Sequence, residues 1–477
     1  MNSVKLIEPG NFEMDAHYYP KVINSHIHPM VKSFLAMSNE RITNRYCHLH
    51  PEVDREVLTS ILNYNPSHFY WSGCDLFPVT NEDGFRKMVL IETNSCPSGQ
   101  KSFPLFDEIE EQGRYRFLIE NSFIPAMKKA KLIDGKLAVI FDKNKLEASG
   151  YASTIADLLN ENVYLVNFYK QDEGEVYKFE EGILYIKFEE KWIPIRAAYK
   201  YVTQKPWNRI PVKSKSFIYN PIITCLAGGR NKLIASKAYD LMNGQMEATG
   251  LKIRIPETIW DVTKQEVPLW VQKMGGFAVV KNPYSNAGQG VYTITSDQEL
   301  QAFMAMEHNY DLFIVQSLIG NSTWTSTLAE GKLYHIGTVP NKKNQYFVCD
   351  LRMMIVGTSK GYRPVAMYAR RAHSPLKDSL DSSEHSWMML GTNLSVKLGE
   401  DSWSSETERL LLMDTRDFNK LGLGLDDLIE GFIQAVLANI SIDKMSINLL
   451  DTEGHLQEEL FTSLDNDKVL NEEIMRS

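Results

Sequence analysis

The alternation of apolar and polar positions picks out two hairpins in which a strand ends on a residue able to do chemistry. The first is FAVVKNPYSNAGQGVYTI, residues 277–294. A β-rich apolar run closes on Lys281, a loop containing Ser285, Gly288, Gln289 and Gly290 follows, and a second β run occupies 291–294. Such a tip is too small and flexible to pack, and its backbone N–H groups can point at phosphate oxygens beside an ammonium group. The order strand, lysine, glycine loop, strand is not the Walker pattern, nor a GxGxxG between strand and helix. Taken alone, the stretch reads equally well as an ordinary surface hairpin. The second is HFYWSGCDLFPVTNEDGFRKMVLIETNSCPSG. There a β-type run ends at Asp75, a turn falls at Asp83-Gly84, and a strand over 88–91 delivers Glu92 and Asn94. Alternation sets Glu92 and Asn94 on one face. With Asp75 they form an all-oxygen set of the kind Mg²⁺ takes, and Pro97-Ser98-Gly99 follows as a stiff turn. The plainer reading is a surface hairpin with solvated acids.

Other stretches supply the frame. Residues 104–130 read as helical with a break at Pro125. A buried strand over 135–141, an amphipathic helix over 153–160 and a strand over 163–168 have βαβ spacing and predict a small parallel sheet. A helix opens near Asn231. A short strand at 312–316 ends at Gln316, followed by Ser317 and Leu318. Long strands at 346–356 and 364–371 carry Arg352, Arg370 and Arg371. A loop or short strand at 391–399 holds Asn393, and residues 425–440 form an amphipathic helix. These elements predict a mixed α+β and α/β chain in four parts. An N-terminal segment with the acidic hairpin covers 1–134, and a small α/β domain covers 135–230. A lysine and glycine-loop subdomain covers 231–320, and a final subdomain with the C-terminal helix covers 321–477.

At 477 residues the chain exceeds one compact domain. Hydrophobic content of 43% and charged content of 23% are those of a soluble globular protein. No apolar run approaches membrane-spanning length and the start lacks a signal-peptide core, so a cytoplasmic protein with no membrane partner is expected. Five scattered cysteines without a CxxC pair read as reduced thiols, and a net charge of −9 argues against nucleic acid as the partner. The HxH strings at His26/His28 and His48/His50 resemble the opening of a hydrolase metal site. The segment before them is weakly strand-like and no eightfold repeat follows, so packing or surface roles are favoured.

In series, Asn231-Lys232, IPET at 255–258, VVKNPYSNAGQGV at 279–291, IVQSLI at 314–319, DLRMMIVG at 350–357, AMYARRA at 366–372 and TNLSVKLG at 392–399 resemble the ATP-grasp enzymes. The resemblance implies that Lys232 and Lys281 bind ATP phosphates and that the loop Ser285, Gly288, Gln289, Gly290 closes over them. It implies that Gln316 to Leu318 hydrogen-bond adenine, largely through backbone. Arg352, Arg370 and Asn393 would meet the γ-phosphate and an acyl phosphate. The usual C-terminal Asp and Glu-x-Asn strands are missing near Glu459, and DLF…DG…LIETN stands near the N-terminus instead. That order is similar to circularly permuted ATP-grasp ligases such as glutathionylspermidine synthetase, which gives Asp75, Glu92 and Asn94 the Mg²⁺ role. One departure is Gly73, where those synthetases place an arginine, so Arg352, Arg41 or Arg45 is left to replace it. The implied reaction joins a small-molecule carboxylate to an amine with ATP and Mg²⁺. A kinase-like use of the same site and a non-catalytic nucleotide-binding protein are the alternatives.

Overall fold

The computed structural model describes residues 3–107, 109–284, 288, 290–327, 331–380, 385–397 and 403–475. Its architecture is mixed α+β, with three main sheets. The sheet that carries the site is assembled from distant parts of the chain. Trp71–Asn81 and Arg86–Ser95 form one antiparallel hairpin, Cys349–Thr358 and Gly361–Arg371 form another, and the two join edge to edge. Leu333–His335 extends the junction beside the far end of Trp71–Asn81, and Leu410–Leu411 closes the other side.

Trp71–Asn81 does not stop at Asp75 as its sequence suggests, and Asp75 lies mid-strand. The strand continues because both of its faces are covered. Cys74 and Leu76, with Met88 and Met353, pack under the helix Leu425–Asn448, where Gly431 lets the helix approach Leu76 closely. Alternation then turns Asp75 and Phe77 to the opposite face, where they line a cavity. A bulge follows Asp75: its partner across the hairpin is Glu92, whereas Leu76 faces Leu90.

The central helix is eight residues longer than its apolar pattern predicts, because polar positions in its last turns are buried with partners. Asp443 is fully buried and accepts from the backbone N–H groups of Ser67 (3.0 Å), His68 (2.8 Å) and Phe69 (2.7 Å) and from the Tyr64 hydroxyl (2.8 Å). Asn439 donates to Ser72 Oγ and accepts from the Tyr362 hydroxyl. The helix therefore fixes where the Trp71 strand begins.

The expected βαβ unit is present. Lys136–Phe141 and Val163–Asn167 are parallel neighbours joined by the helix Lys145–Leu159. That helix starts earlier than predicted, since buried Glu147 and Tyr151 interrupt the apolar signal of its first turns. Lys191–Tyr201 runs parallel on the other side of Lys136–Phe141, and Val4–Ile7 adds an antiparallel edge beside Val163–Asn167. Between 104 and 130, helix begins only at Gly113 and passes through a π-helical turn, Ile119–Phe123, just before Pro125. The third sheet orders Thr258–Thr263, Leu312–Ser317, Ala278–Lys281 and Val291–Ile294, all antiparallel, over its own core of Val262, Val280, Phe303, Phe313 and Val315. Among the described residues no helix is long and apolar enough to cross a membrane.

Removing the Asp443 carboxylate strands three backbone donors, that of Phe69 fully buried. Asp443→Ala should cost about 3 kcal/mol, read as a lower urea midpoint. Asp426→Ala, which breaks an exposed pair with Arg45, should leave the midpoint unmoved. Equal midpoints for the two variants would show that the helix is not anchored through Asp443.

Candidate functional site

The three sheets meet around a cavity of about 220 Å³ whose lining gathers residues from both ends of the chain. Its floor is set by strand register. Glu92, Asp75, Arg352 and Tyr368 stand directly opposite one another on four successive strands, and Asp350 faces Arg370 two residues along. Opposed side chains on one sheet face are near enough to touch. Arg352 donates Nε to Asp75 Oδ1 (2.6 Å) and Nη2 to Oδ2 (2.8 Å), and its Nη1 reaches the Tyr368 hydroxyl (3.2 Å). Arg370 reaches Asp75 Oδ2 (2.9 Å) and grips Asp350 with both Nε and Nη2. Thr392 Oγ1 donates to Asp350 Oδ2 (3.0 Å). Burial alone would raise the Asp75 pKa, but Arg352 and Arg370 hold its carboxyl well below the usual range.

Asp75, expected to take part in holding Mg²⁺, has both of its oxygens on arginines here and serves as their counter-ion. Among the described residues no group of three His, Cys, Asp or Glu side chains is placed to hold a metal ion. Glu92 and Asn94 remain at the cavity surface, each with one oxygen near a cation: Glu92 Oε1 lies 3.2 Å from Lys232 Nζ, and Asn94 Oδ1 accepts from Arg230 (3.2 Å). Mg²⁺ needs only one or two protein oxygens when phosphates and water supply the rest, and the Glu92–Asn94 pair fits that mode.

The expected phosphate-binding residues come together. Lys232 opens the helix Lys232–Met246, whose N-cap Asn231 accepts from the N–H groups of Leu233 and Ile234. Lys281 ends its strand facing the same space. Burial and then nearby Lys232 push the Lys281 pKa down to about 8, with Glu92 opposing. The loop root is tied to the helix: Lys232 N–H donates to Pro283 O (3.0 Å), and Asp465 accepts from both Tyr284 (2.6 Å) and Asn231 (2.7 Å). Gly288 has φ +75° and lies against Trp387, where a Cβ would come within 3.1 Å of the indole. Gly290 has φ +65°. Ser285 and Gln289 lie outside the described residues. Asn393 lines the cavity, and its carbonyl accepts from Arg409.

Of the 316–318 backbone expected to meet adenine, three groups are bonded within the protein. Ser317 N–H donates to Glu257 O (2.9 Å), Leu318 N–H to Ser326 Oγ (2.7 Å), and Leu318 O accepts from Ser326 N–H (3.0 Å). Side chains are what this edge offers the cavity: Gln316, Ser317, Leu318 and, from the neighbouring strand, His335. Burial pushes the His335 pKa down to about 3, so its ring is neutral. His335 Nδ1, Ser317 Oγ and Asn94 Nδ2 are buried with no hydrogen-bond partner among the described residues, and all three residues line the cavity. Water or a polar ligand in the cavity would satisfy these three atoms.

The arginine absent at position 73 has no room there, because a Cβ on Gly73 would lie 2.5 Å from Pro97 Cβ. Arg230 occupies the neighbourhood instead, beside Asn94, which is the cross-strand partner of Gly73. Of the replacements considered, Arg352 is in the site, whereas Arg45 is an exposed partner of Asp426 and Arg41 does not line the cavity. Sequence reasoning passed over Arg230, Asp350, Lys101, Lys143 and His335. Only Asp350, two residues before Arg352, and Arg230, beside Asn231, adjoin a recognisable motif. The histidines at 26, 28, 48 and 50 lie away from the cavity, and His28 caps the helix Pro29–Ala36.

No family model and no curated protein matches the chain. Among solved structures it is similar to a glutathione synthetase-like effector from Globodera pallida, with 10% identity and a TM-score of 0.40 over 74% of this chain and 86% of the other. An ATP-grasp RimK domain protein from Sphaerobacter thermophilus aligns at 12% identity and TM-score 0.29, over 49% and 90% of the two chains. D-alanyl-alanine synthetase A from Vibrio cholerae aligns at 11% identity and TM-score 0.29, over 50% and 89%. All three TM-scores lie below 0.5.

Proposed function

We propose that this chain is an ATP-grasp ligase with a circularly permuted order, joining a carboxylate to an amine at the expense of ATP. One observation carries the reading. A single cavity holds two phosphate-suited lysines and a glycine turn at one end, and a pre-paired arginine floor beside them. Permutation is supported by the shared sheet, in which the N-terminal acidic hairpin pairs with the C-terminal arginine hairpin.

In this reading Lys232, Lys281 and the backbone around Gly288 hold the β- and γ-phosphates, and Gln316, Ser317 and His335 face the base. Glu92 and Asn94 hold Mg²⁺, which when bound offsets phosphate charge. The γ-phosphoryl group passes to a substrate carboxylate, giving an acyl phosphate and ADP. An amine then attacks the acyl carbon, forming the amide and releasing phosphate. Arg352 and Arg370 face the charge that develops during transfer. Asp75 and Asp350 fix their guanidinium planes, so little reorganisation is needed at the moment of reaction. Such chemistry rests on positioning and charge stabilisation and needs no side-chain nucleophile.

Calorimetry with ATP–Mg²⁺ tests the nucleotide end. Lys281→Met and Glu92→Gln should each weaken binding at least about tenfold, about 1.4 kcal/mol; wild-type affinity in Glu92→Gln would move the metal elsewhere. A screen of carboxylates and amines should release ADP and, with hydroxylamine present, yield a hydroxamate. A stable phosphoester as product would make the protein a kinase.

The Lys281 pKa gives a pH test. Free Lys281 loses its proton through about pH 8, and a polyphosphate beside it favours the charged form. ATP affinity should therefore fall as pH rises from about 7 to about 9. Near the upper end binding should take up protons, seen as a dependence of the binding heat on buffer ionisation. Lys281→Met should abolish that uptake. Equal uptake in the variant would assign the proton to another group.

A further inference from the structure

A second cleft, of about 650 Å³, lies outside the nucleotide cavity and shares none of its lining residues. Its volume is that of a small-molecule pocket. Four separate segments build it. Thr43 comes from the helix Asn39–Leu49, Arg55 opens the helix Arg55–Leu62, and Asn121 belongs to the π-helical turn Ile119–Phe123. Lys360 and Arg363 come from the tip of the hairpin formed by Cys349–Thr358 and Gly361–Arg371. The other end of that hairpin carries Asp350 and Arg370 of the cavity floor. Seven positions of strand, about 20 Å, separate Arg363 from Arg370.

Two independent observations point to an anionic occupant. The first is Thr43, which is 2% exposed and whose Oγ1 has no hydrogen-bond partner among the described residues. A hydroxyl inside a helix commonly bonds back to the carbonyl four residues earlier, as Thr59 does to Arg55 O (2.8 Å). Thr43 does not, and its hydroxyl stays open at the wall of the cleft. The second is Arg363, which is half-buried. Its guanidinium makes two long contacts, both to neutral oxygens: Asn39 Oδ1 (3.5 Å) and Leu35 O (3.3 Å). Burial lowers its pKa, and no carboxylate opposes the shift. Arg114 adds charge on the same side: it donates to Pro364 O (2.7 Å) and Val365 O (2.9 Å). Burial and then Arg363 push its pKa down to about 9, with Glu110 opposing. The lining contains one carboxylate, Glu40, and among the described residues it pairs with none of Arg55, Lys360 and Arg363. A guanidinium taken partly out of water without an acid in contact is costly, and a bound anion offsets that cost.

We propose that this cleft is a second binding site, for a small molecule that carries a phosphate or carboxylate group. Arg363 and Lys360 answer the anion, Arg55 adds charge from its own helix, and the Thr43 hydroxyl donates to one of the oxygens. Glu40 works against the anion and limits its affinity. An occupant here lies too far from Arg370 to take part in chemistry at the cavity floor, so it is an effector and not a substrate. The site therefore stands whether or not the ligase reading does.

The test titrates inorganic phosphate and acetate, at fixed ionic strength, into full-length protein saturated with the non-hydrolysable ATP analogue AMPPNP and Mg²⁺, read by calorimetry. One of the two should bind, and the tighter names the anion. Arg363→Gln and Lys360→Met should each weaken that binding at least about fivefold, and Glu40→Gln should tighten it. AMPPNP–Mg²⁺ affinity should be the same in all three variants. Lys360 is exposed on a turn, so Lys360→Met reads the site even if Arg363→Gln does not fold. The proposal is overturned if neither anion binds wild type, or if folded Lys360→Met and Glu40→Gln both bind it as wild type does. Loss of anion binding in Lys281→Met, with the cleft variants unaffected, would place the anion in the nucleotide cavity and overturn it equally. If AMPPNP–Mg²⁺ does not bind wild type, the ligase reading fails, and the cleft variants still decide for or against this site.

Discussion

The contact on which the site depends is the buried pair between Asp75 and Arg352, 277 residues apart in sequence. Either charge alone in that position would carry a desolvation penalty of several kcal/mol; together, with both guanidinium bonds made, they are stable. Arg370 and Asp350 repeat the arrangement one step along, and Arg370 links the two pairs through Asp75. Because side chains alternate along a strand, a slip of one residue would turn Asp75 beneath the central helix and strand both arginines. The pair therefore fixes the register between the two hairpins, and with it the spacing from Glu92 to Tyr368 across the cavity floor. Fold and site are held by one interaction.

Much of this was legible because the signals are local. The apolar run into Lys281, the glycines at 288 and 290, and the N-cap Asn231 all lie within a few residues of the elements they define. The βαβ unit declared itself by spacing. Asp75 shows where such reading stops. Three oxygens in one hairpin suggest a metal ion, and only the partner strand reveals that arginines claim one of them. Arg352 and Arg370 were visible as cations on strands, but not which acids they would meet. Element ends were misplaced for a related reason. Asp443 and Glu147 look like surface positions in a periodic pattern, yet each is buried and saturated by distant backbone N–H groups. Burial of that kind has no signature within a window of neighbouring residues.

The C-terminal segment illustrates the same long-range logic at the phosphate loop. Asp465, between two short helices, accepts from Asn231 and from Tyr284, so the tail bridges the helix bearing Lys232 and the loop that follows Lys281. Lys205 lies over the Tyr284 and Tyr310 rings and pairs with Glu473, adding a second tie to the same corner. The two lysines are thus carried on separate elements, and their separation is set by a residue more than 180 positions from either in the case of Lys281 and more than 230 in the case of Lys232. A polyphosphate site on two such elements gains precision from the tie, because neither strand nor helix can shift alone.

Charge along the cavity follows from how the acids are used. At the lysine end Glu92 remains within reach of Lys232 and Lys281, and at the floor Asp75 and Asp350 match two arginines. Beyond the floor the acids turn away to hold backbone: Glu147 fixes the turn that presents Lys101, and Asp142 fixes the 203–204 turn beside the loop that presents Lys143. Each of those carboxylates satisfies two backbone donors, and Asp142 still favours the charged form of Lys143 from that position.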